Sequence, residues 1–259
     1  MPFADNDGIR IHYEVEGEGP PLVLYHGLSL SSEFWRILGY VEALKRNYQL
    51  ILIDARGHGY SDKPHDPEAY NYELMVADVV SVIDDLNIEK AHFLGYSMGG
   101  LIGWLIGKYA LDRFYSLIIG GASPTDQNPD VPNPMIDWWV SLFKQGNEAV
   151  IATYEKMGVK LPSDAKSILM NNDTEALIAL LSLLEERVEY DETIANTTLP
   201  CLLYMSEADP DYAKAKKCID VLPNVTFVTL PGLDHFEGFM RSDLVLPHIL
   251  KFLANMTKT

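Results

Sequence analysis

A chain of 259 residues with 47% hydrophobic content can bury a sizeable core and suits one large α/β domain carrying an insertion. With 37 acidic residues against 20 basic ones, and a formal net charge of −17, it offers no positive footprint for nucleic acid or for an anionic membrane surface. No apolar run reaches transmembrane length, and residues 1–8 are acidic and turn-forming, unlike a secretory signal.

In chain order, residues 3–15 read as an edge hairpin. Asn6-Asp7-Gly8 supplies the turn, and Ile9, Ile11, Tyr13 and Val15 fall on one face. Residues 22–25 form the first fully apolar strand and run into His26-Gly27-Leu28. The Ser-rich stretch 29–32 is placed to cap a helix at Glu33. Residues 50–53 are the next strand, and residues 72–86 have helical spacing with Met75, Val79, Val82 and Leu86 on one stripe.

A further strand, from Ala91 to Leu94, breaks at Gly95-Tyr96-Ser97-Met98-Gly99 and passes straight into a helix-like stretch. That helix carries Gly99, Gly103 and Gly107 at four-residue intervals. Glycine inside a helix is costly, so its repetition predicts a flat face packed closely on the sheet. Strands are expected at 117–119, 199–205 and 225–230, and an amphipathic helix at 243–255. Short apolar strands separated by helices are the pattern of a parallel sheet covered on both faces.

Residues 123–196 break the alternation. Pro124, Pro129, Pro132 and Pro134 open the segment, helical patches follow at 135–143, 148–157, 165–169 and 174–187, and no strand is evident. The expected organisation is therefore a core of residues 1–122 and 197–259 with a helical cap, 123–196, over the carboxyl edge of the sheet, where open α/β sheets bind ligands.

The chemistry centres on Ser97. Glycines at i−2 and i+2, between a strand and a helix, are the context of a nucleophile elbow, in which the serine hydroxyl projects from a tight, strained turn. A serine needs a base to take its proton, usually a histidine oriented by a carboxylate, in the chain order serine, acid, histidine. Of the histidines after Ser97, His235 lies in a loop directly behind the last strand, whereas His248 lies within the terminal helix pattern. For the acid, the loop after 199–205 offers Asp209, with Glu207 and Asp211 as rivals, and Asp126 is an alternative after the preceding strand. An oxyanion hole needs two backbone N–H groups. The expected donors are Met98, just after the nucleophile, and Leu28; His26 braces that loop.

These pieces, His26-Gly27, Asp54-x-Arg56-Gly57-His58-Gly59-x-Ser61-Asp62, Gly95-x-Ser97-x-Gly99-Gly100, Ala208-Asp209-Pro210 and Gly232-x-Asp234-His235, resemble in kind and order those of the α/β-hydrolase superfamily, in its serine esterase-like branch with a small helical cap. The resemblance implies an eight-stranded, mostly parallel sheet. One departure is Ser206, where many relatives carry glycine three residues before the acid.

The activity this implies is carboxylic ester hydrolysis through an acyl-enzyme, on small or short-chain neutral acyl esters. The alternatives are lactone or enol-lactone opening, thioester or C–C bond hydrolysis, and a triad-bearing receptor for a small molecule with slow turnover. The cap offers Met135, Trp138, Trp139, Phe143, Tyr154 and Met157 either as pocket lining or as its own core. Tyr96, Trp138, Trp139 and Phe143 are the candidate pocket residues. No phosphate loop, dinucleotide fingerprint or metal-ligand spacing is present, so no cofactor is expected. Cys201 and Cys218 make no disulfide framework, which points to a reducing cytoplasm. The expected partner is the substrate alone, with no nucleic acid and no membrane, in a monomer or homodimer.

Overall fold

The computed structural model describes residues 1–123, 134–159, 161–184, 197–220 and 222–256. Strands β1 (Phe3–Asn6) and β2 (Ile9–Glu16) pair antiparallel, with Asn6 opposite Ile9. Asp7 and Gly8 both have positive φ, 51° and 86°, as the two central residues of a hairpin matched to strand twist must. On β2 the side facing away from Ile11 and Tyr13 also holds a fully buried residue, His12, which alternation alone would place in water.

β3 (Pro21–Tyr25), β4 (Gln49–Ile53), β5 (Ala91–Tyr96), β6 (Phe114–Gly120), β7 (Cys201–Ser206) and β8 (Val225–Leu230) complete one eight-stranded sheet in the order β1-β2-β4-β3-β5-β6-β7-β8. The pairs from β4 to β8 are parallel and β2 joins β4 antiparallel. Alternation divides the apolar strands between two faces. Val23, Tyr25, Ile51, Ile53 and Phe93 pack on one side with α3 (Tyr72–Asp85) and α4 (Met98–Tyr109). Leu22, Leu24, Leu50, Leu52 and Leu94 pack on the other with α1 (Glu33–Ile37) and α2 (Tyr40–Leu44). Met75, Val79 and Val82 of the α3 stripe are fully buried. Arg56 and Asp78, at most 1% exposed, form a two-pronged ion pair between the loop after β4 and α3.

The glycine face of α4 lies on the sheet. A Cβ on Gly99 would stand 2.1 Å from the Tyr25 carbonyl oxygen, one on Gly103 would be 3.1 Å from Ile119, and one on Gly107 would be 2.7 Å from the Thr197 hydroxyl. The expected side-chain cap before α1 is not made. Ser32 precedes the helix without a side-chain bond, and its N–H donates instead to the Asp54 carboxylate at 2.8 Å.

Between β6 and β7 the described residues hold four helices and no strand: α5 (Pro134–Lys144), α6 (Asn147–Lys156), α7 (Ser163–Met170) and α8 (Thr174–Leu184). They are tied to the core by His65, whose Nε2 lies 3.0 Å from Asp173, and by Asn172, whose amide donates to the Ser29 carbonyl at 2.7 Å. The proline-rich opening with Asp126, and residues 185–187 of the last expected helix, lie outside the described residues. After β7 come α9 (Tyr212–Lys217), α10 (His235–Met240) and α11 (Ser242–Met256). Among the described residues no helix is long and apolar enough to cross a membrane.

Candidate active site

Ser97 joins β5 to α4 with φ 56° and ψ −115°, a conformation whose strain costs on the order of 1–3 kcal/mol. The flanking glycines make it possible. A Cβ on Gly95 would lie 2.1 Å from the Gly99 carbonyl oxygen, so strand and helix could not fold back on each other with larger residues. Ser97 N–H donates to the Gly120 carbonyl at 2.8 Å, and its own carbonyl accepts from Leu101 at 3.0 Å. Main chain on both sides therefore pins the turn, and the hydroxyl faces the loop after β8.

That loop is fixed by a capping box. Asp234 accepts from Glu237 N–H at 2.8 Å, and Glu237 accepts from Asp234 N–H at 2.9 Å, which makes His235 the first residue of α10. His235 Nε2 lies 3.0 Å from Ser97 Oγ and Nδ1 lies 2.6 Å from Asp209 Oδ2. Because a carboxylate can only accept, Nδ1 carries the proton and Nε2 presents its lone pair to the serine. The Asp209 side chain is 3% exposed and that of His235 29%, so the acid is dry while the base remains reachable.

Asp209 comes from the turn after β7. Its N–H donates to the Ser206 carbonyl at 3.1 Å and its Oδ1 accepts from Asp211 N–H at 2.9 Å. The serine in place of glycine at 206 thus leaves the turn intact. The rival acids are engaged elsewhere: Glu207 accepts from Gly232 N–H at 3.0 Å and Asp211 pairs with Lys214 at 2.7 Å. His248 is exposed on α11.

Behind the loop that follows β3 lies a buried polar network. His26 Nδ1–H donates to the Gly27 carbonyl at 2.8 Å, and its Nε2 accepts from Ala55 N–H at 3.1 Å. His58 does the same between the Arg56 carbonyl, 3.1 Å, and Ser29 N–H, 3.0 Å. Burial holds both imidazoles below their ordinary value, His58 at about 3, so both stay neutral. Asp54 sits between the two halves. Burial pushes its carboxyl up, but the His12 ring at 2.9 Å and the N–H groups of Ser32 and Tyr60 outweigh this and hold it below the usual carboxylate range. Leu28 is half-buried in this braced loop. A Cβ on Gly27 beside it would reach within 3.4 Å of Ser97 Cβ. Met98 heads α4.

The candidate pocket residues separate. Tyr96 is 3% exposed, and its hydroxyl donates to the His235 carbonyl while its ring stacks on Phe239 at 4.9 Å. It supports the base loop and does not line a pocket. Burial, with Asp209 nearby, raises its phenol far above the ordinary value and keeps it a donor. Phe143 is 1% exposed and stacks on Trp139, as part of the inserted helices' own core. Trp138 is 40% exposed, edge-on to Trp139. Among the described residues Tyr154 is one link to the site, meeting Trp139 at 6.2 Å and Phe236, the neighbour of His235, at 5.4 Å. Sequence reasoning gave no role to His12 or Asn172 and placed Ser29 only in a helix-capping stretch; their partners are 42, 143 and 125 residues away. Among the described residues no cluster of three or more His, Cys, Asp or Glu side chains is placed to hold a metal.

The chain belongs to the alpha/beta hydrolase fold family, whose model matches residues 20–166, more than half of its length. It is 34% identical over 117 residues to Epoxide hydrolase 4 of Mus musculus, covering 44% of this chain and 32% of that protein. It is 34% identical over 123 residues to 3-oxoadipate enol-lactonase 1 of Acinetobacter baylyi, covering 47% and 44%. The chain thus spans less than half of these two relatives in the matched region. The structure of a thermophilic esterase from Thermogutta terrifontis superposes with a TM-score of 0.81 at 20% identity, over 98% of both chains, which establishes the shared fold.

Proposed function

We propose that the protein is a serine hydrolase of carboxylic esters, acting on small or short-chain neutral acyl groups through an acyl-enzyme. The observation that carries this reading is the continuous relay from Ser97 Oγ to His235 at 3.0 Å and from His235 to Asp209 at 2.6 Å. Ser97 attacks the acyl carbonyl as His235 Nε2 takes its proton, and Asp209 holds the ring and stabilises the imidazolium. The Leu28 and Met98 N–H groups bind the tetrahedral oxyanion. His235 then protonates the leaving alcohol and activates the water that releases the acid.

Residues 123–196 act as a cap, with Tyr154 and Phe236 bounding the acyl site and Trp139 behind them. A carboxylate nucleophile is absent from the elbow, which weighs against epoxide opening despite the similarity to an epoxide hydrolase. An enol-lactone is the second reading, favoured by the similarity to the enol-lactonase, because opening a lactone uses the same attack and the same relay.

The test is a panel of aryl esters of increasing acyl length, with lactones, assayed with wild type and Ser97→Ala. Ser97→Ala is expected to lower kcat by roughly 10⁴-fold or more. Short acyl chains are expected to turn over fastest. Undiminished rates in Ser97→Ala would overturn the serine mechanism, a maximum at long chains would overturn the substrate class, and a single stoichiometric burst would mark a receptor.

A further inference from the structure

Ser29 stands directly after Leu28, inside a turn closed by Leu30 N–H donating to the Gly27 carbonyl at 3.2 Å. Its φ is 62°. Positive φ at the third position of such a turn is the place for glycine or asparagine, because a Cβ there is strained. Ser29 has a Cβ, and it is fully buried. Its conformation is therefore imposed from outside.

Three bonds impose it, from three directions. Ser29 N–H donates to His58 Nε2 at 3.0 Å, its carbonyl accepts from the Asn172 amide at 2.7 Å, and its hydroxyl lies 3.1 Å from the Tyr154 hydroxyl. The first partner belongs to the core. The other two belong to the inserted helices, Tyr154 on α6 and Asn172 on the turn before α8. Asn172 is itself held from α6, since the Asn147 amide donates to its carbonyl at 2.9 Å. Ser29 is fully buried while the helices are seated, so a bond left unmade there is not replaced by bulk solvent. When the helices are seated, every polar group of Ser29 is satisfied. When they are lifted, two of the three bonds are lost, and the strained turn loses most of what fixes its position.

We propose that the inserted helices assemble the oxyanion loop: Tyr154 and Asn172 position Ser29, and through it the adjacent Leu28 N–H, so that the site is complete only with α6 and the turn before α8 docked on the core. This rests on the serine-hydrolase reading. Tyr154 and Asn172 are positioning residues, acting through Ser29. Loss of either leaves the relay of Ser97, His235 and Asp209 in place but blurs the position of one oxyanion donor. The effect therefore falls on the transition state and not on substrate binding.

The experiment compares wild type, Ser29→Ala, Tyr154→Phe, the double variant, Asn172→Ala and Ser97→Ala on a short aryl ester. Kinetics are joined by inhibition with a trifluoromethyl ketone, which forms the tetrahedral adduct, and with the product carboxylate. Losing a whole oxyanion donor costs about 10²–10³-fold in kcat, so misplacing one is expected to cost about tenfold. Ser29→Ala and Tyr154→Phe should each lower kcat about tenfold with KM unchanged. Each should weaken the ketone by the same factor and leave the carboxylate alone. The double variant should fall no further than either single one, and Asn172→Ala should follow the same pattern. Additive losses in the double variant would mean that Tyr154 acts on the substrate directly, and would overturn the proposal. So would equal weakening of ketone and carboxylate, or wild-type kinetics in both single variants. If Ser97→Ala were itself fully active, the serine reading would fall; if Ser97→Ala were dead while Ser29→Ala and Tyr154→Phe matched wild type, the inference alone would fall.

Discussion

Asp209→Asn tests the relay with the smallest possible change of shape. The carboxylate accepts two N–H groups, His235 Nδ1–H at 2.6 Å on Oδ2 and Asp211 N–H at 2.9 Å on Oδ1. An asparagine has one oxygen for two donors. If that oxygen keeps the Asp211 bond, the amide NH₂ faces His235 and forces Nδ1 to accept. The imidazole proton then moves to Nε2, which at 3.0 Å from Ser97 Oγ becomes a donor and cannot take the serine proton. If the amide turns over, it points its NH₂ at the Asp211 N–H, and two donors meet in a side chain only 3% exposed. The first arrangement removes the base and costs about 10⁴-fold in kcat, equivalent to about 5.4 kcal/mol of transition-state stabilisation. Stopped assays on a short aryl ester measure this, with Glu207→Gln and Asp211→Asn alongside. Glu207 serves Gly232 and Asp211 serves Lys214, so both variants should stay within about threefold of wild type, as surface substitutions do. An Asp209→Asn enzyme within tenfold of wild type, or a collapse in either neighbour variant, would refute the assignment.

Tyr96→Phe removes the oxygen that donates to the His235 carbonyl; it should lower stability by about 1–2 kcal/mol in urea unfolding and reduce kcat several-fold, and an unchanged kcat would mean that Tyr96 does not position the base loop. Burial lowers His58 to about 3 and His92 to about 4, and lowers His26 as well. Unfolding therefore takes up protons below the ordinary histidine value of about 6.5, and stability falls as pH falls from there toward 4, by about 1.4 kcal/mol per pH unit for each such histidine. His92 bonds Ser116 on neighbouring strands, among residues with no part in the relay; His92→Asn should remove about one proton from the uptake measured by denaturant unfolding against pH, and equal slopes in variant and wild type would count against the reasoning.

The sheet was legible because alternation and run length report burial directly. Residues 22–25 and 50–53 are apolar throughout since both faces are covered, and each strand begins one residue before its reading, from Pro21 to Tyr25 and from Gln49 to Ile53. The glycine repeat of α4 was legible for a similar reason, because only close approach to the sheet repays its cost. His12 was not legible. It lies on the strand face that alternation gives to solvent, and it is buried because Phe3 and Tyr60 close over it, at 5.4 and 5.2 Å, while Asp54 bonds its ring. Burial of a polar residue is a property of its partners, and those partners are dispersed along the chain.

The same distinction separates reaction from substrate. Ser97, His235 and Asp209 could be named because each task admits few residue types and each stands at the end of a strand, whose direction the sheet fixes. The pocket allows no such inference. Trp139 and Phe143 are as suitable for a core as for a ligand, and only the packing decides: Phe143 is enclosed with Trp139 inside the inserted helices, whereas Tyr154 sets its ring against Phe236, the neighbour of His235. Tyr154 does so with both of its parts, its ring against Phe236 and its hydroxyl beside Ser29. On the proposed ester reading, the acyl group must therefore fit beneath a residue that also steadies the loop carrying Leu28. Changes at position 154 that widen the pocket will carry a loss in kcat, and substrate range in this chain is open to alteration more freely at Phe236 than at Tyr154.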